Sequence, residues 1–146
     1  MSGLGERNVV DPKTGGQKGA KLAMFSLVPF GIVREVAEHF GRGARKYAAR
    51  NWQRGYAWSL SYDALQRHLT LWWEDGEDYD PDPTLDDGDG VSRTRHIIAV
   101  VWHAMVLAWF SKHGVGTDDR PCKWSPDQVQ DLPGPSQPPP NAGHDR

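Results

Sequence analysis

Residues 95–112 read RHIIAVVWHAMVLAWFSK and carry a long apolar pattern with a helical period. Apolar side chains recur at spacings of three and four residues, as on one face of an α-helix. This face consists of Ile98, Val101, Trp102, Met105 and Trp109. The pattern predicts a helix from about Ser92 to Lys112.

Two earlier segments have the same period. One runs from about Pro29 to Tyr47, and its proline suits the first turn of a helix. The other runs from about Ser59 to Glu74. No segment alternates over strand length. The sequence therefore predicts an all-α fold, a small bundle of three main helices with short extra turns, one of them at Ser125-Pro126-Asp127.

Composition divides the chain into three parts. Residues 1–20 are rich in glycine and charge and predict a flexible arm. Residues 21–130 hold the helical patterns and predict one all-α domain. Residues 131–146, DLPGPSQPPPNAGHDR, predict a Pro-rich flexible tail. Three helices bury little surface for this length, so we expect a homodimer or a higher homo-oligomer to complete the core.

Charge and cysteine content exclude several classes of protein. The net charge is −2 and the pI is near 6.3, so no global basic field attracts nucleic acid. The single cysteine, Cys122, excludes an internal disulfide framework and an all-cysteine zinc site. No apolar run of about 18 residues occurs, which excludes a membrane-spanning helix. We therefore expect a soluble, cytoplasmic protein without direct nucleic-acid or membrane partners.

Two groups of acidic residues are candidates for holding a cation. Glu35 and Glu38 lie one helical turn apart, and their carboxylates repel unless a cation joins them. The loop after the second helix holds many more acidic residues: Glu74, Asp75, Glu77, Asp78, Asp80, Asp82, Asp86, Asp87 and Asp89. Mg²⁺ prefers such oxygen ligands. A solvated helix face and a solvated loop explain the same residues, and the full calcium-loop pattern is lacking.

Histidines and a basic segment add further candidates. His68 is on the second predicted helix, and His96 and His103 share one face of the third. Histidines beside carboxylates are typical of zinc sites, although a lone helical histidine is usually a hydrogen-bonded core residue. Residues 43–54 supply cations for phosphate and the flat ring of Trp52 for a base or sugar. A basic hairpin anchored by Trp52 in the core explains this segment equally well.

Taken together, these segments resemble the N-terminal domain of phage dATP/dGTP diphosphohydrolases. That family is related to the MazG-like all-α nucleoside triphosphate pyrophosphohydrolases. The resemblance covers about residues 21–112, and its most specific piece is G-A-R-K-Y-x-x-R-N-W-x-x-G at residues 43–55. Arg67-His68, Gly76-Glu77-Asp78 and the helix start at His96 add to it.

The resemblance implies a fold, a reaction and a metal. The reaction is hydrolysis of a deoxypurine nucleoside triphosphate, dATP or dGTP, to the monophosphate and pyrophosphate with Mg²⁺ or Mn²⁺. In phages that replace adenine with 2-aminoadenine, such an enzyme removes dATP and supplies dGMP, and so controls the nucleotide pool. The resemblance makes the all-α domain at residues 21–130 a nucleotide hydrolase domain.

The chain departs from the MazG-like pattern, in which one helix carries Glu-Glu-x-x-Glu and a later one Glu-x-x-Asp. The first motif reads Arg34-Glu35-Val36-Ala37-Glu38, so an arginine replaces its leading glutamate. The later motif is either Glu74-x-x-Glu77 followed by Asp78, or His96-Ile97-Ile98-Ala99. In the second alignment His96 replaces one carboxylate and Ala99 leaves a gap.

The resulting hypothesis is metal-assisted attack of water on the α-phosphorus, with pyrophosphate as the leaving group. The expected metal ligands are Glu35, Glu38, Glu77, Asp78 and His96. The expected catalytic residues are Glu35, Glu38 and Lys46. The expected contacts with the deoxynucleoside triphosphate are Arg45, Lys46, Arg50, Asn51, Trp52, Arg67 and His68.

Two alternative functions remain open on the sequence. One is a nucleotide phosphohydrolase of the histidine–aspartate type, with His68, His96 and aspartates of the acidic loop as metal ligands. No His-Asp dipeptide stands on a predicted helix, which counts against it. The other is a non-catalytic phage protein that binds a nucleotide or a partner through residues 43–54.

Overall fold

The computed structural model describes residues 7–82 and 85–126 and is mostly helical. Helix α1 spans Phe30–Tyr47, α2 spans Trp58–Trp73 and α3 spans His96–His113. These are the three predicted helices, with α3 beginning four residues later than expected. Short 3₁₀ helices occur at Phe25–Leu27, Asn51–Arg54 and Pro121–Lys123. The turn predicted at Ser125-Pro126-Asp127 reaches beyond the described residues, and the tail at residues 131–146 lies outside them.

An N-terminal β-hairpin corrects the all-α prediction. Strand β1, Arg7–Val10, pairs antiparallel with β2, Gln17–Ala20. The Asp11 carboxylate closes the turn by accepting hydrogen bonds from the amides of Lys13 and Thr14 at 2.9 and 2.8 Å. The sequence predicted a flexible arm over residues 1–20 and did not predict this hairpin. Its strands are four residues long and mostly exposed, so they carry no alternating apolar pattern.

Helix α3 lies at the centre of the fold, because α1 and α2 both pack against it. Its apolar residues surround the helix axis, which allows burial on more than one face. The side chains of Ile98, Ala99, Val106 and Phe110 are buried. Aromatic and aliphatic side chains from all three helices and their connections pack around this core: Phe40, Trp52, Tyr56, Trp58, Trp102, Leu107, Trp109 and Val115. Within the residues that the structure describes, no helix has the length and apolar character needed to cross a bilayer.

A backbone clasp joins the start of α2 to the end of α3. The Thr117 amide donates to the Tyr56 carbonyl at 3.1 Å, and the Trp58 amide donates to the Thr117 carbonyl at 3.0 Å. Gly55 has φ +84°, and a Cβ there would lie 2.5 Å from the backbone nitrogen of Gly116. The two helices therefore run antiparallel, and the end of α2 lies beside the start of α3.

We expect Gly55→Ala to destabilise the protein by about 2–4 kcal/mol, because the new methyl group meets backbone atoms and the positive φ adds strain. Gly31→Ala is the matched control, since nothing lies within 4 Å of a Cβ at that helical position. It should leave the free energy of unfolding unchanged or raise it by up to about 1 kcal/mol. Urea denaturation followed by circular dichroism measures both. Equal stability of the two variants would contradict the clasp.

Candidate active site

A cavity of about 1000 Å³ lies between α1, α2 and the N-terminal half of α3. Its wall is completed by the connection at residues 48–52 and by part of the acidic loop, residues 77–82 and Leu85. The volume is large enough for a nucleotide, since small-molecule sites usually measure about 300–1000 Å³. The cavity combines histidines, carboxylates, cations and aromatic rings.

Two buried histidines and an aspartate form a cluster at the wall of this cavity. The Nδ1 atoms of His68 and His96 are 2.8 Å apart, and Asp80 Oδ2 lies 3.9 Å from His68 Nδ1. One potential ligand atom from each residue lies within 4.8 Å of the other two. His96 is only 1% exposed, and its Nε2 lies 3.6 Å from Glu77 Oε2, without a hydrogen-bond partner among the described residues. These groups are close enough together to bind one cation.

Backbone pairing across the acidic loop explains why Asp80 meets the histidines. The Asp80 amide donates to the Thr94 carbonyl at 2.9 Å, and the His96 amide donates to the Asp78 carbonyl at 2.9 Å. Residues 78–80 therefore run antiparallel to residues 94–96. His68 reaches the same point because α2 and α3 are antiparallel. The cluster thus joins three segments that are distant in sequence.

A buried arginine holds the acidic loop against α1. Arg42 is 5% exposed and donates to both carboxylate oxygens of Asp87, at 3.1 and 3.3 Å, and to Thr94 Oγ1 at 3.4 Å. Arg45 donates to the same aspartate at 2.8 Å. The hydrogen bonds from Arg42 and then Arg45 hold the pKa of Asp87 below its usual value. This network determines where the loop passes the cavity.

Two further histidines lie beside the cluster in a neutral state. Burial lowers the pKa of His39 and of His103 to about 4. His39 Nδ1 lies 3.3 Å from Thr94 Oγ1, and His103 Nδ1 lies 3.2 Å from Ser61 Oγ. Burial also lowers the pKa of His68, although Asp80 opposes that shift. All three imidazoles are therefore uncharged at neutral pH.

Three cationic side chains line the same cavity: Lys46, Arg50 and Arg67. Lys46 Nζ lies 3.5 Å from Asp82 Oδ2 and 5.2 Å from the centre of the Tyr47 ring. Within residues 7–82 and 85–126, no carboxylate lies within ion-pair distance of Arg50 or Arg67. These two guanidinium groups are therefore suited to an anionic ligand.

The connection that carries Arg50 has an unusual backbone. Arg50 adopts the left-handed conformation with φ +60°, and Ala48 has φ +85°. Each such non-glycine residue costs about 1–3 kcal/mol, and strain of this kind is frequent at functional sites. The 3₁₀ helix that follows Arg50 carries Trp52, which also lines the cavity. Its ring packs 5.1 Å from Trp109 and 5.6 Å from Phe40, measured between ring centres.

The structure brings most of the predicted site residues to one cavity. Those that line it are Lys46, Arg50, Asn51, Trp52, Arg67, His68, Glu77 and His96. Trp52 packs on the core, as one of the two sequence interpretations expects, and it also lines the cavity.

Four predicted residues do not line this cavity. Glu35 accepts hydrogen bonds from Arg95 at 2.7 and 2.9 Å, and Glu38 lies 3.8 Å from Arg42 with a half-exposed side chain. Arg45 is engaged by Asp87, as described above. Asp78 is exposed, and its backbone carbonyl rather than its side chain contributes to the start of α3.

The structure adds Asp80 and His39, to which the main sequence hypothesis assigned no role. Asp80 is one of nine acidic residues in its loop, and a loop without periodicity offers no signal for choosing among them. His39 lies one helical turn after Glu35, but a single helical histidine is usually a core residue. Asp80 and His39 stand out from similar residues only in the folded protein, where both contact Thr94.

We expect the free energy of unfolding to fall as the pH decreases from about 6.5 to about 4. The unfolded histidine has a pKa near 6.5, whereas His39 and His103 titrate near 4 when folded. The unfolded state therefore binds protons first, and stability that is complete above pH 6.5 is lost toward pH 4, by up to about 3 kcal/mol per histidine. Urea titrations of chelator-treated protein across this window measure the loss.

The variant His103→Gln is the control for this pH dependence and should reduce the slope. The lowered pKa of Asp87 changes the free energy of unfolding only below this pH window, because an unfolded aspartate titrates near 3.8. If the free energy of unfolding has the same slope against pH with and without His103, the pH dependence does not come from this histidine.

Comparison with known proteins gives one clear result. The family model described as "dATP/dGTP diphosphohydrolase, N-terminal" matches residues 12–120, most of the chain. No curated protein and no solved structure gives a match. The family match confirms the resemblance inferred from the sequence motifs. By this match, the chain belongs to the dATP/dGTP diphosphohydrolase family and contains its N-terminal domain.

Proposed function

We propose that this protein hydrolyses deoxypurine nucleoside triphosphates, dATP or dGTP, to the monophosphate and pyrophosphate with the help of a divalent metal. The family match supports the reaction. The observation that carries the proposal is the single cavity that combines three cations with a histidine–carboxylate cluster. Triphosphate hydrolysis needs both, since a metal acts on some phosphate oxygens and cations on others.

The cations provide the triphosphate site. A nucleoside triphosphate carries several negative charges, and Arg50 and Arg67 have no carboxylate partner within the described part of the chain. Lys46 shares its charge with Asp82 and supplies a third cation. Charge-assisted hydrogen bonds from these groups would orient the phosphates and offset the charge that develops on the leaving pyrophosphate.

The divalent metal would find fitting donors in the same cavity. Asp80 supplies a carboxylate oxygen, His68 and His96 supply imidazole nitrogens, and Glu77 lies beside His96. When bound, such an ion supplies Lewis acidity and lowers the pKa of water. Glu35 is less suited to this role, because Arg95 occupies both of its oxygens.

The aromatic part of the wall suits a purine base. Trp52 and Tyr56 line the cavity beside Asn51, whose amide has both a donor and an acceptor for a base edge. A purine has a larger flat face than a pyrimidine and gains more from contact with aromatic rings. We therefore propose that the base lies against this wall.

We expect dATP or dGTP to be the best substrate in an end-point assay with Mg²⁺ or Mn²⁺ and every deoxy- and ribonucleoside triphosphate. Chromatography should show the monophosphate and pyrophosphate in equal amounts. Lys46→Ala and Arg50→Ala should each raise KM at least about tenfold, because each removes a charge-assisted contact. Lys112→Ala is the control, since this lysine is exposed at the far end of α3.

Other products would indicate the alternative functions. Release of tripolyphosphate or inorganic phosphate would indicate a histidine–aspartate-type phosphohydrolase, and the contact between His68, His96 and Asp80 specifically favours this second candidate. Tight nucleotide binding without any product, by folded protein, would indicate a nucleotide-binding protein. Either result would contradict the proposed reaction.

Self-association is part of the proposal. Residues 22–30 expose an unusual number of large apolar side chains, with Leu22 77%, Phe25 68%, Leu27 75% and Phe30 57% exposed. Neighbouring exposed apolar side chains commonly mark a protein interface. We propose that a second copy of the chain covers this segment and completes the core in a homodimer or higher homo-oligomer.

We expect the full chain to have at least the mass of a dimer in light scattering at micromolar concentration. Leu27→Ser should weaken self-association, because it removes an apolar side chain from the proposed interface. Val91→Ser is the control, since Val91 is an exposed apolar residue too, at 55%, but lies in the acidic loop. A monomer at every concentration would contradict this part of the proposal.

A further inference from the structure

We propose that His68, Asp80 and His96 form a binding site for a divalent first-row transition-metal ion, which they bind in preference to Mg²⁺. The catalytic meaning of this site rests on the proposed function, because the cluster lies in the cavity assigned to the nucleotide. The binding of the ion itself is independent of that function and can be measured without any nucleotide.

The spacing of the three groups suits one small cation. Two ligands at about 2.1 Å from an ion in tetrahedral geometry are about 3.4 Å apart. The Nδ1 atoms of His68 and His96 are 2.8 Å apart, and Asp80 Oδ2 lies 3.9 Å from His68 Nδ1. These distances lie on either side of the value for bound ligands. The third pair, Asp80 and His96, lies within 4.8 Å. Shifts of about 0.5–1.4 Å would therefore produce the bound geometry.

The ligand types select the class of metal. Two imidazole nitrogens and one carboxylate oxygen favour Zn²⁺, Fe²⁺, Co²⁺ or Mn²⁺, whereas Mg²⁺ prefers oxygen ligands and retains its waters. Three protein ligands leave coordination positions open for water or a phosphate oxygen. All three residues line the cavity, so those open positions would be accessible to a bound ligand.

Burial argues against an ordinary structural pair of histidines. His96 is 1% exposed, and its Nε2 has no hydrogen-bond partner among the described residues. A buried unsatisfied nitrogen costs about 1–3 kcal/mol, which an apolar residue at this position would avoid. The Nδ1 atoms of His68 and His96 share the single proton of their hydrogen bond. A metal ion would replace that proton and use both nitrogens.

The surroundings of the cluster support the same conclusion. Metal-bound histidines usually direct their second nitrogen toward a carboxylate, and Glu77 Oε2 lies 3.6 Å from His96 Nε2. A proton on Nε2 leaves Nδ1 of His96 with the lone pair that a metal requires. The Asp80 carboxylate supplies the negative charge that partly offsets the charge of a divalent ion.

The test is titration of the metal-free full chain with Co²⁺ in the absence of nucleotide. Visible absorption reports the coordination of Co²⁺, and calorimetry with Zn²⁺ gives the affinity. We expect one tightly bound ion per chain and at least about 100-fold weaker binding of Mg²⁺. Asp80→Asn and His96→Gln should each weaken Co²⁺ binding at least about tenfold.

Two variants serve as matched controls. His113→Gln removes a histidine from the opposite end of α3, and Glu38→Gln removes a carboxylate from α1, outside the cluster. Both should bind Co²⁺ like the wild type. Because His96 is fully buried and its variant is at risk of unfolding, the Asp80→Asn variant, checked by circular dichroism, carries the test.

Several results would overturn the inference. One is folded wild-type protein that binds no Co²⁺. Another is Asp80→Asn protein that binds Co²⁺ as the wild type does. A third is a loss of Co²⁺ binding that occurs only in Glu38→Gln. The last result would place the metal on the carboxylates of α1. Tight Co²⁺ binding without nucleotide hydrolysis would support this site while contradicting the proposed function, so the two proposals fail separately.

Discussion

The burial of α3 is the constraint on which the rest of the structure depends. This helix carries apolar side chains on several sides, so no single neighbouring helix can remove them from water. Both α1 and α2 pack against it, and residues as far apart as Ile98 and Phe110 are buried. The same burial places His96, the first residue of α3, inside the protein. A polar group is therefore held in a region where a charge or an unpaired nitrogen is costly.

Two polar networks then define the cavity beside α3. The clasp that Tyr56 and Trp58 form with Thr117 brings the first residues of α2 against the end of α3, which places His68 opposite His96. The buried Arg42 holds the acidic loop through Asp87. Most carboxylates of that loop remain exposed, while one reaches the histidines. The cavity thus depends on a few buried polar contacts as much as on the apolar core.

The electrostatic character of the cavity follows from this arrangement. Burial keeps His39 and His103 neutral, so they add no positive charge near the cluster. Positive charge comes instead from Lys46 at the end of α1, Arg50 on the connection after it and Arg67 on α2. Separate regions for a cation and for phosphates arise because histidines and guanidinium groups respond differently to burial: an imidazole loses its proton, whereas a guanidinium keeps it.

The sequence by itself determined the three helices, the family and most of the side chains around the cavity. Helical periodicity is a local property, and the motif at residues 43–55 is specific enough to identify the family. The N-terminal hairpin escaped prediction because its short exposed strands carry no apolar alternation.

Only the tertiary structure decided which acidic residues meet the histidines. Glu35 and Glu38 have the helical spacing of a metal site, but Arg95, which is distant in sequence, occupies Glu35, and Arg42 lies beside Glu38 on the same helix. Asp80 has no distinguishing pattern, yet its backbone pairs with Thr94 and brings it to the cluster. Spacing along a helix is fixed by local geometry, whereas contacts between a loop and two helices depend on packing that no local pattern encodes.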